Sequence, residues 1–321
     1  MRLDGSRRAL VLGARGNIGA PLVEYLRSVG YAVLESDVRP GWRPDYITAD
    51  INHPVDLLPA FDWCPDVVFL LSGMVGRPAC EQAGSVAIAT NLAGINNVLQ
   101  LCKRTESRCV FFSSSEVYGP GSEVMDEELT PPRPANRYGL TKWMGEQLIE
   151  YEVRTGGLDA VVLRPCMLYT ELEDIGEHRS AMIRFAANLA RGRAIEVHRG
   201  SARGWLHVDD AIRAIEAAAR VQQYATINIG HPEILPMLDL AEMIRAQLDA
   251  DAALIRSVPV PPQITAVKRP TLGRQRTLLR FEPAISVRDG VARVCEVQRR
   301  MVGRVLRPPF PGAVRGVSVG T

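Results

Sequence analysis

The sequence predicts an α/β fold in which a doubly wound parallel sheet is joined by a small, mixed α/β C-terminal domain. Short, continuous apolar runs alternate with amphipathic segments from Ala9 to Leu163. A strand that is apolar along its whole length is typical of a parallel sheet covered by helices on both faces. Right-handed crossovers between such strands produce the doubly wound arrangement. The chain has 321 residues, 46% of them hydrophobic, which is enough for one large domain or two coupled domains.

The first part of the chain supplies most of the predicted sheet. In the first predicted helix, Leu22, Val23 and Leu26 fall on one face, as expected of a helix that packs on a sheet. In chain order, the pattern predicts strand Ala9–Leu12, helix Ile18–Val29, strand Ala32–Glu35, strand Val67–Leu71, helix Ala89–Arg104, strand Val110–Ser113, helix Tyr138–Thr155 and strand Ala160–Leu163.

After Arg164 the predicted elements become shorter, and proline and arginine become more frequent. This part predicts helix Met182–Ala190, a strand near Ile195–His198, helix Asp209–Arg220, strand Thr226–Ile229, helix Leu238–Leu248, a proline-rich strand region Val258–Ile264 and helix Val287–Arg300. We expect a first domain of residues 1–165 with 204–229, and a smaller domain of residues 166–203 with 230–303. Residues 304–321 have little helical or strand pattern, so we expect a flexible tail.

Composition and charge exclude several classes of protein. The 38 basic residues are balanced by 36 acidic ones, which gives a net charge of +2 and does not favour a nucleic-acid partner. The six cysteines are scattered without a CxxC pair, and the five histidines are equally dispersed, so we expect neither disulfides nor a bound metal. Apolar runs are too short to span a bilayer or to form a signal peptide, which predicts a soluble, cytoplasmic protein with no membrane partner.

A glycine-rich turn follows the first predicted strand. The segment VLGARGNIGAPLVEYL places Gly13, Gly16 and Gly19 at the spacing GxxGxxG. Gly13 permits a tight turn, Gly16 allows a phosphate to approach the backbone, and Gly19 allows the helix to pack closely on the strand. The first turn of that helix offers free N–H groups and the positive end of a dipole to a pyrophosphate. The pattern therefore predicts a dinucleotide-binding, Rossmann-type fold.

An acidic residue, Asp37, follows the second predicted strand. A carboxylate at this place accepts hydrogen bonds from the ribose hydroxyls of adenosine and repels a 2′-phosphate, so it favours NAD over NADP. Two arginines argue the other way, since Arg15 lies in the glycine turn and Arg39 lies just after the acid. Both could also be ordinary solvated side chains. NAD is the predicted cofactor, with NADP as the alternative.

A serine-rich strand end and a helix carry the candidate catalytic residues. The segment CVFFSSSEVYGPG contains Ser114, and RYGLTKWMGE contains Tyr138 and Lys142. Tyrosine and lysine four residues apart share one helix face, so we expect the ammonium beside the phenol. A neighbouring cation favours the phenolate and lowers the tyrosine pKa towards the range of a general base. Tyr-x-x-x-Lys alone is often a surface pair, but together with the serine-rich strand and the dinucleotide turn it predicts a catalytic set.

Together these motifs make the chain resemble the extended short-chain dehydrogenase/reductase family, which contains nucleotide-sugar epimerases, dehydratases and decarboxylases. The resemblance covers about Ala9 to Arg300. It implies that the first domain binds NAD and that the smaller domain binds a nucleotide-diphosphate sugar. The implied cofactor residues are Gly13, Gly16, Asn17, Ile18, Gly19, Asp37, Asp50, Ile51, Leu71, Ser72, Gly73, Asn91, Tyr138, Lys142 and Pro165. The implied substrate residues are Met74, Arg77, Ser115, Met167, Arg203 and Arg269.

Several of these residues match the family's segments one by one. Asp50 and Ile51 in YITADI match the pair that contacts adenine, and Arg203 in GSARGWLHVDD matches the arginine that binds the substrate diphosphate. Arg269 lies in KRPTLGRQRTLLRFEP, which resembles a segment that closes the nucleotide site. The family's LRxxNVYGP reads LRPCMLYTE here, so Met167 replaces an asparagine that usually touches the nucleotide-sugar. This departure leaves the nucleotide open.

The resemblance implies a reaction through a transient keto-sugar. Tyr138, as phenolate, would remove the proton of a sugar hydroxyl while hydride passes to NAD and later returns. Ser114 would hydrogen-bond the same oxygen, and Lys142 would hold the nicotinamide ribose and the phenolate. The predicted function is therefore that of an NAD-dependent nucleotide-sugar epimerase or dehydratase.

Glu116 is the residue expected to discriminate between reactions. Family dehydratases and decarboxylases have an acid at this position, where it would act as a base at C5 or assist loss of a carboxylate. The alternative is that Glu116 points away and pairs with Arg77 or Arg137.

Three other functions stay open at this point: a nucleotide-sugar decarboxylase of the glucuronate type, an NADPH-dependent keto-sugar reductase, and a non-catalytic NAD-binding subunit. The complete set of Ser114, Tyr138 and Lys142 argues against the last. The family also implies a homodimer formed by the helices Ala89–Arg104 and Tyr138–Thr155.

Overall fold

The structure, a computed structural model, describes residues 6–121, 123–173, 180–261 and 264–305. Its strands are β1 (Arg8–Leu12), β2 (Ala32–Asp37), β3 (Tyr46–Thr48), β4 (Val67–Leu70), β5 (Arg108–Phe112), β6 (Val124–Met125), β7 (Ala160–Pro165), β8 (Leu168–Tyr169), β9 (Ile195–His198), β10 (Ala202–Gly204), β11 (Leu206–His207), β12 (Thr226–Ile229), β13 (Ile234–Pro236), β14 (Ile255–Val258) and β15 (Val267–Pro270).

Its helices are α1 (Gly19–Ser28), α2 (Pro54–Asp62), α3 (Arg77–Gln82), α4 (Gly84–Ile88), α5 (Ile95–Thr105), α6 (Arg137–Gly156), α7 (Ala181–Leu189), α8 (Val208–Ala218), α9 (Met237–Leu248), α10 (Gly273–Leu278) and α11 (Val287–Val305). A π-helical segment, Ala89–Gly94, joins α4 to α5, and 3-10 turns cover Ser115–Tyr118 and Ala252–Leu254. Within the described ranges, no helix is both long enough and apolar enough to cross a bilayer.

Seven parallel strands form the central sheet, in the order β12-β7-β5-β4-β1-β2-β3. The chain builds outward from β1 in both directions, so the sheet has a switch point between β1 and β4, where loops at the carboxyl ends diverge. One hydrophobic core packs α1 and α8 on one face of the sheet, and a second packs α2, α5 and α6 on the other. The predicted α/β fold with a doubly wound, Rossmann-type sheet is confirmed.

A third hydrophobic core lies outside the sheet and gathers α7, α9, α11 and β9. Small sheets accompany it: a four-stranded sheet in the order β13-β10-β15-β6, and the two-stranded pairs β11-β8 and β14-β9. These elements are the predicted small, mixed α/β part. The boundaries given for the two domains stay a prediction, and β6, from within the range of the first, pairs with β15.

Three predicted elements differ from the structure. The helix expected over Ala89–Arg104 is π-helical from Ala89 to Gly94 and becomes α-helical at Ile95. Of the strand expected over Val258–Ile264, only Val258 is in a strand, as the last residue of β14. Pro259 and Pro261, which follow, have no N–H for a ladder, and residues 262–263 lie outside the described residues. The last helix continues to Val305, into the range expected as a tail, and residues 306–321 of that tail lie outside the described residues.

Candidate active site

A cavity of about 830 Å³ opens at the carboxyl ends of the central strands. One wall is formed by residues that end or follow β1, β4, β5 and β7, and the opposite wall by residues of α7, β9, β10 and β15. Open α/β sheets bind ligands at this edge, next to the switch point. The predicted cofactor residues that line the cavity are Gly13, Gly16, Asn17, Ile18, Gly19, Leu71, Tyr138, Lys142 and Pro165.

The glycine turn has the shape of a cradle that side chains would fill. Gly13 has a φ of +87°, and a Cβ there would lie 2.9 Å from the backbone N of Ser72. A Cβ on Gly19 would lie 2.1 Å from the carbonyl oxygen of Gly13. Ile18 precedes α1 without a side-chain hydrogen bond to the first helical turn, so backbone donors remain for a phosphate. This site therefore fits the pyrophosphate of a dinucleotide.

Asp37, at the end of β2, lies beside the glycine turn. Its carboxylate accepts hydrogen bonds from the backbone N of Arg15 at 3.0 Å and from the backbone N and Nε of Arg39, each at 3.1 Å. Burial raises the pKa of Asp37, but the hydrogen bonds from Arg39 and Arg15 outweigh it and lower the pKa. The Arg39 guanidinium is therefore paired with Asp37 beside the glycine turn.

The other predicted cofactor residues are not part of the cavity lining. Asn91 is buried, and its amide is used within the protein: Oδ1 accepts from the backbone N of Met74 at 2.8 Å, and Nδ2 donates to the Met74 carbonyl and to Thr141 Oγ1. Asn91 therefore holds the loop after β4 against α6. The remaining members of this group are Asp50, Ile51, Ser72 and Gly73, of which Gly73 packs on Asn91 and Lys142.

The three predicted catalytic residues Ser114, Tyr138 and Lys142 all line the cavity. The pKa of Tyr138 is nevertheless raised: burial raises it strongly, and the hydrogen bond with Ser114 lowers it only in part. The Lys142 ammonium donates instead to the carbonyl of Phe112 at 2.8 Å. The expected lowering of the Tyr138 pKa by Lys142 is therefore wrong for this arrangement, because burial dominates and the ammonium is held by the strand.

Glu116 faces the cavity and is held by two cations. Its Oε1 accepts hydrogen bonds from Arg77 at 2.7 Å and from Lys268, and its Oε2 accepts from Asn136 at 3.0 Å. Burial raises the pKa of Glu116, but Lys268 and Arg77 outweigh it and hold the pKa well below the usual range of a glutamate. The predicted pairing with Arg77 is present, whereas the suggested pairing with Arg137 is wrong, since Arg137 pairs with Glu81.

Lys268 is the site residue that the sequence interpretation missed. It lies on β15, where neighbouring side chains point to opposite faces. Lys268 is buried in the cavity wall, and Arg269, the predicted substrate residue, is exposed and lies outside the cavity lining. Arg269 therefore does not reach this cavity, and its role as a substrate residue stays a prediction. The sequence contains one feature that distinguishes Lys268: only three of the 38 basic residues are lysines, namely Lys103, Lys142 and Lys268.

Arg203 and Met167, two of the predicted substrate residues, line the cavity. The Arg203 guanidinium donates to the carbonyls of Ala202, Thr265 and Ala266, which fix it in the wall. Burial lowers the pKa of Arg203 to about 10. Met167 has a φ of +48°, a left-handed conformation that favours glycine or asparagine.

The other predicted substrate residues are Met74, Arg77 and Ser115. Arg77 and Ser115 line the cavity. Ser115 also hydrogen-bonds Cys166, a buried thiol whose pKa is raised to about 12, chiefly by burial. Met74 contacts the site through Asn91 rather than through the cavity.

Residues 9–230, more than half of the chain, match the NAD dependent epimerase/dehydratase family. The chain belongs to this family. As a member of the NAD dependent epimerase/dehydratase family it is an NAD-dependent enzyme, and the predicted family and cofactor are confirmed. The role of each site residue stays a prediction.

Three proteins illustrate the likeness of this NAD dependent epimerase/dehydratase family member to known enzymes. UDP-glucuronic acid decarboxylase 6 of Arabidopsis thaliana is 26% identical over 315 residues, covering 94% of this chain and 91% of that protein. The structure of MoeE5 with UDP-glucuronic acid and NAD has a TM-score of 0.80 and 25% identity, covering 92% of this chain and 99% of MoeE5. UDP-glucose 4-epimerase of Thermotoga maritima, solved with UDP-glucose, shares the fold, with a TM-score of 0.83, 22% identity and coverage of 92% and 99%.

Proposed function

We propose that this enzyme acts on a nucleotide-diphosphate sugar whose sugar carries a carboxylate, and that it removes this carboxylate as carbon dioxide after a transient oxidation. One observation carries the proposal: Lys268 and Arg77 converge on a carboxylate, Glu116, inside the cavity that also holds Ser114 and Tyr138. Of the functions considered from the sequence, the decarboxylase is therefore favoured over the epimerase or dehydratase.

The charges of the cavity wall support an acidic substrate. Arg77, Arg203 and Lys268 all interact electrostatically with the carboxylate of Glu116. Buried charges are costly unless they are paired, so this wall is suited to a ligand that brings further negative charge. A diphosphate and a sugar carboxylate both do so, whereas the hydroxymethyl group of a neutral hexose would add none near Lys268.

The state of Glu116 argues against dehydration. A dehydratase needs a base that removes the proton at C5, and a base is efficient when its pKa lies near the working pH. The cations Lys268 and Arg77 hold the Glu116 pKa well below that range, which makes the carboxylate a weak base. Decarboxylation needs no base at C5, because the electron pair comes from the C–C bond that breaks.

The first step is the oxidation of the C4 hydroxyl. When bound on the glycine cradle, NAD⁺ supplies the hydride acceptor and a positive charge that favours the phenolate of Tyr138. Tyr138 takes the hydroxyl proton, and Ser114 donates a hydrogen bond to the same oxygen. Lys142, whose pKa burial lowers to about 8, is the nearby ammonium that the ribose hydroxyls would meet. The product of this step is a 4-ketone.

The ketone makes the sugar carboxylate a β-keto acid. The C5–C6 bond breaks, carbon dioxide leaves, and the electron pair moves to the C4 oxygen as an enolate, which Ser114 and the protonated Tyr138 stabilise by hydrogen bonds. C5 then takes a proton from water, which restores the ketone. Tyr138 would then return its proton to the C4 oxygen as the bound cofactor gave back the hydride, which would yield the pentose product.

Epimerisation of the same acidic sugar is the second candidate. Its support is the likeness to MoeE5, which was solved with UDP-glucuronic acid and with UDP-glucose. The same C4 ketone would then be reduced from the other face, and the carboxylate would stay.

We also propose that the enzyme works as a cytoplasmic homodimer. On α6, Leu140, Met144 and Tyr151 are 40%, 41% and 55% exposed, which leaves an apolar surface on the helix that the family resemblance places at the dimer contact. The six cysteines are free, which suits a reducing compartment.

The experiment that tests the proposal uses NAD-loaded protein and UDP-glucuronate labelled with ¹³C at C6, in D₂O. We expect ¹³C bicarbonate by NMR and a UDP-pentose that contains one deuterium. Parallel reactions with UDP-glucose, dTDP-glucose and GDP-mannose should leave these donors unchanged. An isomer of UDP-glucuronate that keeps its ¹³C would support the epimerase. Loss of water from a neutral donor, or no reaction with the acidic sugar, would overturn the proposal.

A further inference from the structure

The end of β5 contacts one face of α6 at three successive levels. On α6, Tyr138, Lys142 and Glu146 are spaced by four residues, so they lie on one face of the helix. The three contacts are Ser114 with Tyr138, the Phe112 carbonyl with Lys142 Nζ at 2.8 Å, and Ser113 Oγ with Glu146 Oε1. Two levels contain the predicted catalytic residues, and the third, Ser113 with Glu146, has no role in the reaction described above.

Glu146 is also held by Arg164 from β7. Arg164 donates from Nε at 3.0 Å to Oε1 and from NH2 at 2.7 Å to Oε2, a bidentate pair in which the side chains are 7% and 3% exposed. The Arg164 guanidinium also lies 4.8 Å from the centre of the Tyr118 ring. Buried ion pairs are often no more stabilising than apolar residues of similar size, so stability alone is a poor reason for a pair at this place.

We propose that Glu146 is a positioning residue for catalysis, which fixes the catalytic face of α6 against β5 and so holds the Lys142 ammonium at the Phe112 carbonyl. This role does not depend on which sugar the enzyme uses. It concerns the part of the site that every reaction through a 4-ketone would share.

The surroundings of Lys142 support this role. Burial lowers the pKa of Lys142 to about 8, while Cys80 from α3 and Glu146 from its own helix raise it in part. Among the described residues, the ammonium also contacts two neutral groups, the Phe112 carbonyl and the ring of Phe111, whose centre is 5.0 Å away. The pKa of the Cys80 thiol is itself raised, mainly by burial, so Glu146 supplies the negative charge near Lys142.

The direct test measures the protonation of Lys142 itself. The chain has three lysines, so protein grown with lysine labelled with ¹³C at Cε gives three resonances that the variants Lys142→Arg and Lys268→Arg assign. We compare wild type with Glu146→Gln, which keeps the shape of the side chain and removes its charge. The matched control is Glu150→Gln, the same change one turn later on α6, at an exposed position.

We expect Glu146→Gln to lower the pKa of Lys142 by about one unit, while Glu150→Gln leaves it unchanged. With UDP-glucuronate, the alkaline limb of the pH–rate profile should shift down equally, so that turnover near the wild-type Lys142 pKa falls about fivefold. An unchanged Lys142 titration in a folded Glu146→Gln protein would overturn the proposal. Because the titration needs no substrate, it is decided separately from the proposed reaction.

The Glu146→Gln protein leaves Arg164 without its partner, so it could fail to fold. The double variant Glu146→Gln/Arg164→Met removes both charges and leaves neither unpaired. The proposal expects Lys142 to titrate at lower pH in this protein as well. A wild-type titration in the folded double variant would assign Glu146 a structural role only.

Discussion

Lys268 and Glu116 form an ion pair inside the cavity, and the direction in which one strand residue points creates it. The Nζ of Lys268 donates to Oε1 of Glu116, while the next residue on β15, Arg269, is exposed. Side chains alternate between the faces of a strand, so a shift of one residue would bring the arginine to the cavity and remove the lysine. The proposed recognition of a sugar carboxylate depends on this pair.

The variants Lys268→Met and Arg269→Met test which of the two neighbours serves the reaction. With UDP-glucuronate we expect kcat/KM to fall at least about hundredfold in Lys268→Met, because a charge-assisted hydrogen bond to the substrate is lost and Glu116 is left without its buried partner. Arg269→Met should stay within about twofold of wild type. Steady-state kinetics of the two variants checks this, and equal losses in both would contradict the assignment.

Substitution of Glu116 by glutamine is expected to destabilise the protein at neutral pH. The change leaves Lys268 and Arg77 without a carboxylate, at a cost of about 3 kcal/mol in the free energy of unfolding. Because Lys268 and Arg77 lower the Glu116 pKa despite burial, its contribution is complete above the usual glutamate value of 4.5 and is lost as pH falls below it. Urea unfolding should show a gap between wild type and Glu116→Gln that narrows in acid. A constant gap would mean that charge is not the cause.

The role of the glycine turn in NAD binding can be tested with alanine variants at two glycines that have similar positive φ angles. Gly13 and Gly30 have φ values of +87° and +91°, but only at Gly13 would a Cβ meet other atoms. Each alanine should cost about 1–2 kcal/mol of stability. We expect Gly13→Ala, in addition, to weaken NAD binding at least about tenfold by calorimetry, and Gly30→Ala to bind normally. Normal NAD binding by a folded Gly13→Ala protein would show that the glycine turn does not bind the NAD pyrophosphate.

Tyr138→Phe tests the proposed base. Loss of a positioned general base costs about 10²–10⁴-fold in rate, so kcat should fall by that amount. The control is Tyr151→Phe, the same change at a 55% exposed position on the same helix, which should keep full activity. Turnover by Tyr138→Phe within tenfold of wild type would assign the proton transfer to another group.

The features that the sequence predicted share a local cause. The turn at Gly13 and the pair Tyr138 and Lys142 depend on spacing within one segment, and continuous apolar strands such as β4 and β5 have only one place in an α/β sheet. Close approach at Gly13 and the shared helix face of Tyr138 and Lys142 follow directly from backbone geometry.

The features that it missed depend on contacts between distant segments. Lys268 meets Glu116 only because β15 pairs with β10 and β6, three short strands without a clear alternation of apolar residues. Helix α2 was not predicted; it contains Pro54 and Pro59, of which Pro54 occupies the first turn, where its missing N–H costs nothing. The pKa of Tyr138 depends on how deeply the whole fold buries this side chain. The four-residue spacing between Tyr138 and Lys142 gives no information on that burial.

The most direct test of the central claim is the binding of UDP-glucuronate and UDP-glucose, which differ at C6, to NAD-loaded wild type and Lys268→Met, measured by calorimetry. If Lys268 and Arg77 receive a sugar carboxylate, wild type will bind UDP-glucuronate at least about tenfold more tightly than UDP-glucose, and Lys268→Met will lose most of that preference. Equal affinity of wild type for the two donors, or a preference that survives in Lys268→Met, would contradict the account.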